Sequence, residues 1–510
     1  MSVLAIRQFP AFAVLAVIVI AALVLAGFLP VLLIGLKEGL ARADPYLWRV
    51  TGFTLLQAGL STVLSLALAI PVARALARRQ FRGRGLIIRL LALPLTLPAI
   101  VTVLGIVEIY GSQGWLGGLF EIYGLQGILL AHVFFNFPIA ARMMLIRLAA
   151  VPPESWRLAA QLGFRAGDVW RRIEWPQIRA ALPGAATLIF LLCAASFTVV
   201  LTLGGGPNAT TLEVAIYQAL RFDFDPARAA GLSIVQLAIF LVLAMLAHRL
   251  AGGMSAWPSF RSVSIRYDDP SPLALIGDSL ALLLGLLVLI PPIAAIFFSG
   301  LTHLHFGANA AKAMLTSLAI ALCSGALSVT LCWPLAQAAA RRPAWNRVSA
   351  LAAVAGFIMP PAVLATGWFL LLSRSPAISV PAPILVVAMS TLLALPFVYN
   401  ALAPATADAA RQHDRLCASL GITGTARFLR IDVPALRRAL GFAFLMAAIV
   451  SLGDLTAILF FGSQDFTTLP ALIYREMGSY RMESAAGTAL ILVLLTMALV
   501  FLADRWGRTT

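Results

Sequence analysis

Residues that could perform catalysis are scarce in this sequence. Only 11% of the 510 residues are charged, and a nucleotide-binding P-loop needs a lysine directly after a glycine. The two lysines, Lys37 and Lys312, follow other residues. His303 and His305 share one loop, but two histidines without a third ligand indicate an ordinary loop rather than a metal site. The residue types therefore predict no enzyme, no metal and no cofactor.

Three polar side chains fall inside apolar stretches, where burying a polar group is costly. Asp454 lies toward one end of such a stretch, and His132 and Asn136 are four residues apart, hence on one face of a helix. Polar residues at such places either line a solute pathway or tie helices together by hydrogen bonds. Both interpretations stay open for all three residues.

Apolar stretches of this kind recur along the whole chain. The sequence is 61% hydrophobic, well above the share in soluble proteins, and about 20 apolar residues span a bilayer. Twelve stretches reach that length: 11–35, 52–73, 86–108, 124–146, 181–203, 229–248, 274–299, 313–336, 349–372, 382–402, 439–461 and 485–503. The sequence therefore predicts an all-α, polytopic membrane protein with about twelve transmembrane helices, solvated by lipid.

The net charge of +16 is distributed unevenly between alternate loops. If the N-terminus lies inside the cell, 28 of the 37 basic residues face the cytoplasm. The nine on the other side are Lys37, Arg42, Arg49, Arg221, Arg228, Lys312, Arg374, Arg475 and Arg481. This bias follows the positive-inside rule, so it predicts a multi-pass protein with both termini in the cytoplasm. It also accounts for the basic charge without a nucleic-acid partner.

The chain repeats itself at long range. Pro71–Arg79 matches Pro334–Arg342 at an offset of 263, and later Gly, Pro and polar residues match at offsets of 258 to 256. Because six helices precede the join, the two halves are predicted to be parallel six-helix repeats. The predicted divisions are an N-terminal helix with its loop (1–50), a first repeat (51–250), a linker (251–272), an extra helix (273–312) and a second repeat (313–503).

One motif occurs in the loops after the fourth and tenth spans. Gly163 and Pro176 are thirteen residues apart, as are Gly421 and Pro434, and an isoleucine stands three residues before each proline. A glycine ends a helix and a proline begins one, so each copy predicts an elbow of a short helix, a turn and a new helix. Asp168 is expected to cap the new helix of the first copy. In the second copy, Thr406 or Asp408 is expected to cap the helix that Gly421 ends.

The elbows resemble the EAA loop of ABC importer permeases, E-A-A-x3-G-x9-I-x-L-P, which in that family docks on the ATPase subunit. The glutamate position reads Arg157 and Arg415, which puts contacts by that carboxylate in doubt but not the geometry. The resemblance implies two copies of a separate ABC ATP-binding subunit as partners. The predicted coupling residues are Arg157, Ala160, Leu162, Gly163, Ile173, Pro176, Arg415, Ala418, Leu420, Gly421, Ile431 and Pro434.

Further strings resemble the fused permeases of thiamine and thiamine pyrophosphate importers over nearly the whole chain. They are 110–116, 123–136, 203–211, 216–220, 225–230, 453–454, 465–470 and 478–481. The resemblance implies a bacterial inner-membrane protein that receives thiamine from a periplasmic substrate-binding protein. In that setting Asp454 would attract the thiazolium cation, with His132 and Asn136 as further pathway candidates. The candidates for contact with the binding protein are Gly204, Gly205, Gly206, Thr211, Tyr217, Asp465 and Tyr480.

Two other functions compete with this interpretation. Fused ferric-iron permeases of the same transporter class share the size and the duplication. A secondary transporter of the major facilitator type would also have twelve helices, but its G-x-x-x-D-R-x-G-R-R loop is not matched by Arg78–Arg84, which lacks the acid.

Overall fold

The structure, a computed structural model, describes residues 8–39, 45–112, 114–117, 121–250, 272–374, 380–463 and 466–507. Within these ranges the regular structure is entirely helical. Lipid offers no hydrogen bonds, so a spanning segment must satisfy its backbone groups internally, as a helix does. Ten described helices are long and apolar enough to span a bilayer, and two bent pairs raise the number to twelve. The prediction of about twelve transmembrane helices is confirmed.

The helices divide into two compact units. The N unit comprises the described residues of Pro45–Thr211 and Ile239–Ser299, and the C unit comprises those of Met1–Asp44, Leu212–Ala238 and Gly300–Thr510. This division reflects which helices pack on one another, and each unit contains segments from both sequence repeats. The domain limits predicted from the repeat therefore remain a prediction.

The N unit is built around three long helices that pack on one another, α2 (Pro45–Arg78), α5 (Leu125–Ala149) and α8 (Trp175–Ala194). Its helix α12 (Pro272–Thr302), from the second half of the sequence, is tied to the residue that follows α2 by an ion pair of 2.6 Å between Arg79 Nε and Asp278 Oδ2. The helices are α2 (Pro45–Arg78), α3 (Arg84–Leu90), α4 (Ala99–Tyr110), α5 (Leu125–Ala149), α6 (Pro153–Gln161), α7 (Ala166–Val169), α8 (Trp175–Ala194), α9 (Thr198–Leu203), the end of α11 (Pro226–Leu250) and most of α12 (Pro272–Thr302).

The C unit is built in the same way around α13, α16 and α18. Helix α1, from the first half of the sequence, packs here on α13, α14 and α15. The helices are α1 (Gln8–Ile34), α10 (Leu212–Arg221), the start of α11, α13 (Ala308–Arg341), α14 (Pro343–Ile358), α15 (Pro361–Arg374), α16 (Ala382–Ser419), α17 (Gly424–Arg427), α18 (Val433–Leu452), α19 (Thr456–Phe461), α20 (Leu469–Gly478) and α21 (Met482–Gly507).

Four predicted spans are interrupted rather than continuous. The third span bends by 109° between 84–95 and α4, and the ninth bends between α14 and α15. Pro98 and Pro361 stand at these bends and lack the N–H that would continue a helix. The fifth and eleventh spans, predicted as unbroken at 181–203 and 439–461, stop at Ala194 and Leu452 and resume at Thr198 and Thr456. Both repeats therefore contain the same two breaks.

Helices α1 and α15 approach so closely that only glycine fits between them. A Cβ on Gly367 would collide with the carbonyl oxygen of Gly27, the kind of small-residue contact that membrane helices use. The indole N–H of Trp368 donates to the Leu23 carbonyl oxygen at 3.0 Å beside it. This contact holds the N-terminal helix in the C unit.

Gly367→Val should therefore lower the free energy of unfolding by about 1–3 kcal/mol, because the added carbons force the two helices apart. Thermal unfolding of the detergent-solubilised protein measures the change. Gly52→Val is the matched control, since a Cβ on Gly52 meets nothing within 4 Å. Equal unfolding midpoints for the two variants would contradict the account.

Candidate functional site: two elbows and the buried polar groups

The first elbow is the turn between α5 and α8. Pro153 and Glu154 begin α6, and Gly163 follows its end with φ +65°, a conformation that glycine adopts without strain. The backbone N–H of Arg165 donates to Asp168 Oδ2 at 3.3 Å, so Asp168 caps α7 from inside its first turn. A π-helical turn, Trp170–Glu174, then leads into α8, whose second residue is Pro176. The predicted elbow is present.

The second elbow differs from its prediction at the start. Helix α16 runs without a break from Ala382 to Ser419, so Thr406 and Asp408 lie inside it and cap nothing. The Thr406 hydroxyl instead donates to the Leu402 carbonyl oxygen at 2.6 Å, and Asp408 pairs with Arg411 one turn on. Because α16 continues through Pro404, no new helix begins where Thr406 or Asp408 could cap it. Gly421, with φ +66°, and a second π-helical turn at Phe428–Asp432 repeat the features of the first elbow.

Both elbows present the same surface. Leu158 and Leu162 are exposed one helical turn apart, and Leu416 and Leu420 repeat this pair in the second copy. Leu162 and Leu420 are each 62% exposed. The predicted residues Arg157, Ala160 and Gly163, and their counterparts Arg415, Ala418 and Gly421, are exposed beside them, whereas Ile173 and Ile431 are half-buried. Apolar side chains rimmed by arginine are typical of a protein-docking surface.

The two elbows are held in shape by different interactions. Behind the first, Val151, Trp156 and Val169 form a buried apolar cluster joined by Phe164 and Ile173. The offset of 258 places Asp414 and Arg427 of the second copy where the first has Trp156 and Val169. Sequence comparison of the repeats could have shown these two exchanges, but not that the new charges find partners.

Those charges form an ionic cluster behind the second elbow. Arg341 lies 3.2 Å from Asp414 and 3.3 Å from Asp432, and Arg427 pairs with the same two carboxylates. Asp432 is buried, so it depends on these partners.

The residue aligned with Asp432 in the first copy is Glu174, which is fully buried. It pairs with Arg74 at 2.7 Å, and the Arg74 guanidinium lies 4.7 Å from the centre of the Trp170 ring. Both elbows therefore anchor to the unit behind them through one buried acid.

The polar residues predicted inside spans are hydrogen-bonded between helices. In the N unit, His132 Nδ1 lies 3.0 Å from the Ser61 hydroxyl, and Asn136 Nδ2 donates to Cys193 Sγ at 3.2 Å. Gln57 Nε2 donates to the Cys193 carbonyl oxygen at 3.0 Å. These bonds join α2, α5 and α8 in a buried network. They show His132 and Asn136 tying helices together.

In the C unit, Asp454 stands at the break between α18 and α19. Its Oδ1 accepts the backbone N–H groups of Thr456 and Ala457, at 2.9 and 3.4 Å, and its Oδ2 accepts the Ser390 hydroxyl at 3.2 Å. The acid therefore satisfies N–H groups that have no helical acceptor at the start of α19. The aligned residue of the first repeat is Ser196, which carries no charge.

Glu213 of α10 is a further buried acid, which the sequence does not single out. Gln236 Nε2 donates to its Oε1 at 2.7 Å, and the backbone N–H of Ala362 donates to its Oε2 at 3.2 Å. Ala362 follows Pro361 at the start of α15, so Glu213 caps the half-helix after the bend. The only sequence signal is an acid within the apolar string Leu212–Tyr217, which also gives no hint of its partners.

The remaining candidates lie around two loops. Gly205 and Gly206 are exposed with positive φ, whereas Gly204, Thr211 and Tyr217 are buried. Tyr480 is almost fully exposed. Asp465 lies outside the described residues.

The fold and the paired elbows define the membrane-spanning permease of an ABC importer. A sulfate transport system permease protein of Synechocystis is 28% identical over 198 residues, which cover 38% of this chain and 72% of that protein. No family model matches the chain.

Longer matches define the family within this class. The thiamine transport system permease protein ThiP of Brucella abortus is 45% identical over 487 residues, covering 92% of this chain and 89% of the relative. Those of Escherichia coli K12 and Haemophilus influenzae are 41% and 39% identical, covering 91% and 89% of this chain and 89% and 87% of their own length. The chain belongs to the family of thiamine transport system permeases.

The Glu213 cap predicts a dependence of stability on pH. Burial raises the pKa of its carboxyl from about 4.5 to about 8; α10 is not among the candidate spans. The folded protein then binds more protons than the unfolded chain between these values, so the unfolding midpoint should fall as pH rises from about 5 to about 8. Thermal unfolding across this range measures it.

Glu213→Gln should remove this part of the pH dependence, because an amide keeps an acceptor for the Ala362 N–H but does not ionise. Asp223→Asn, at an exposed acid, is the control and should keep the wild-type slope. A Glu213→Gln variant with the wild-type slope would show that another group titrates.

Proposed function

We propose that the chain imports thiamine, or thiamine pyrophosphate, as the permease of an ATP-driven transporter. The relatives that it matches over about nine tenths of its length are named for thiamine transport. The competing ferric-iron function has no such support. The substrate would arrive on a separate substrate-binding protein and be released into the cytoplasm.

ATP hydrolysis is assigned to a separate subunit, with one copy docked on each elbow. The observation that carries this proposal is the repeated exposed leucine pair, Leu158 with Leu162 and Leu416 with Leu420. To move a two-state protein from 1:99 to 99:1 takes roughly 5.5 kcal/mol of differential binding. Two elbows, each held rigidly by the residues packed behind it, can transmit this energy to the permease when the two ATPase subunits close.

The orientation follows from the charge distribution. Both elbows, and both termini, would then lie in the cytoplasm of a bacterium, as the excess of arginine on that side indicates. The loops after α9, α10, α19 and α20 would lie outside, where the binding protein docks. Asp454 would attract the thiazolium cation on its way, in addition to capping α19.

Docking is tested with charged substitutions on the elbows. Leu162→Glu together with Leu420→Glu should abolish co-purification of the ATPase subunit and uptake of labelled thiamine, because each places a charge in an apolar contact. Leu304→Glu, at an exposed leucine away from the elbows, is the control and should retain both. Uptake that persists without any ATPase subunit would favour a secondary transporter.

The substrate is tested in the same uptake assay by competition. Unlabelled thiamine and thiamine pyrophosphate should reduce the uptake of labelled thiamine, and ferric iron should not. If ferric iron competes and neither thiamine nor thiamine pyrophosphate does, the substrate is ferric iron rather than thiamine.

The charge of Asp454 is tested apart from its hydrogen bonds. Asp454→Asn keeps an oxygen acceptor for the α19 N–H groups, so the unfolding midpoint should stay near that of the wild type. Uptake of thiamine should nevertheless fall by roughly tenfold, the effect of about 1.4 kcal/mol. Unchanged uptake would limit Asp454 to its structural role.

A further inference from the structure

Two aromatic residues have backbone conformations that aromatic residues rarely adopt. Phe224 and Tyr480, with φ of 51° and 58°, are the only non-glycine residues with positive φ in the part of the chain that the structure describes. The offset of 256 that aligns Ala229–Gly231 with Ala485–Gly487 also aligns Phe224 with Tyr480. The same rare conformation therefore occurs at the same place in both repeats, just after α10 and just after α20.

The hydrogen bonds around Tyr480 explain its conformation. The N–H of Arg481 donates to the Glu476 carbonyl oxygen at 2.9 Å, and the N–H of Tyr480 donates to that of Met477 at 3.1 Å. This is a Schellman motif, in which the residue that Tyr480 occupies is most often glycine.

Phe224 lies in the turn that follows α10, which is one residue wider than the turn at Tyr480. There the N–H of Asp225 reaches back to the Ala219 carbonyl oxygen at 2.8 Å. A side chain at such a left-handed position costs about 1 kcal/mol relative to glycine. Two turns in which glycine would be more stable thus both carry a large aromatic ring.

Both rings project away from the protein. Phe224 is 81% exposed and Tyr480 is 90% exposed. Exposed charged residues of both signs lie within a few residues of each ring in the sequence: Arg221 and Asp223 beside Phe224, and Arg475, Arg481 and Glu483 beside Tyr480. An aromatic centre with a charged rim is the composition of a binding hot spot between proteins.

We propose that Phe224 and Tyr480 are paired anchors for the soluble substrate-binding protein, each ring entering an apolar pocket on that partner. This inference rests on the proposed function. Because the two anchors occupy equivalent positions in the repeats, the partner must offer two separate pockets, one for each half of the permease. The left-handed backbone fixes the direction of each ring before binding, which reduces the entropy lost on docking.

A lipid contact explains these features less well. Aromatic rings at a membrane surface are common on ordinary helices and need no left-handed residue. Charged groups of both signs around each ring also favour a polar, protein partner.

Glycine substitutions separate binding from folding. Phe224→Gly and Tyr480→Gly remove the rings while relieving the backbone, so the unfolding midpoint should stay equal or rise. The complex of permease and ATPase subunits is placed in lipid nanodiscs, and its affinity for the purified, thiamine-loaded binding protein is measured. Each variant should bind at least about 30-fold more weakly, as expected for a hot spot, and the double variant should show no binding.

Three controls accompany the glycine variants. Phe224→Tyr and Tyr480→Phe keep an aromatic ring and should bind within about threefold of the wild type. Phe501→Ala removes another exposed ring, on α21, and should not alter the affinity.

The outcomes distinguish this inference from the proposed function. If both glycine variants bind with wild-type affinity and the wild-type complex takes up thiamine, the anchor proposal is wrong and the proposed function stands. If both glycine variants bind with wild-type affinity and their unfolding midpoints are lowered in lipid but not in detergent, the rings lie in the bilayer interface instead. A wild-type complex that neither binds the loaded protein nor takes up thiamine would overturn both proposals.

Discussion

The bilayer offers backbone groups no water, and this constraint governs where the helices of this protein can be broken. Each repeat contains two interrupted spans, and an interruption leaves N–H groups without helical acceptors. In the C unit two carboxylates supply those acceptors: Glu213 at the start of α15 and Asp454 at the start of α19. The residue aligned with Asp454 is Ser196 of the first repeat, and the residue aligned with Glu213 is Pro470 of the second repeat. The two halves thus share their breaks but not the means of stabilising them.

The elbows show the same relation between shape and chemistry. Their glycines have almost equal φ, their π-helical turns coincide under the offset of 258, and their exposed leucine pairs match. Behind one elbow lies an apolar cluster around Trp156, and behind the other an ionic cluster around Asp414. A duplicated chain can change the support of each elbow independently, provided that the exposed surface of each elbow is kept. Fusion of the halves makes such divergence possible, since each elbow has its own sequence.

Much of this arrangement could be predicted from the sequence. Bilayer-length apolar stretches gave the helix count, and the repeated glycine-to-proline spacing gave both elbows, because these features depend on local residues alone. The break before α9 could not be predicted, since Ala195, Ser196 and Phe197 carry no strong helix-breaking signal. The prediction that Thr406 or Asp408 caps a separate helix is wrong because α16 continues through Pro404. Ala362, a partner of Glu213, and Arg341, a partner of Asp414, lie more than 70 residues away along the chain, and local patterns do not specify such contacts.

We propose that one chain offers two equivalent docking points to a separate ATPase subunit. The mass of the intact complex, measured by native mass spectrometry after co-purification, tests this claim most directly. The account predicts one permease chain with two ATPase subunits. A complex with a single ATPase subunit, or with two permease chains sharing one ATPase pair, would contradict it.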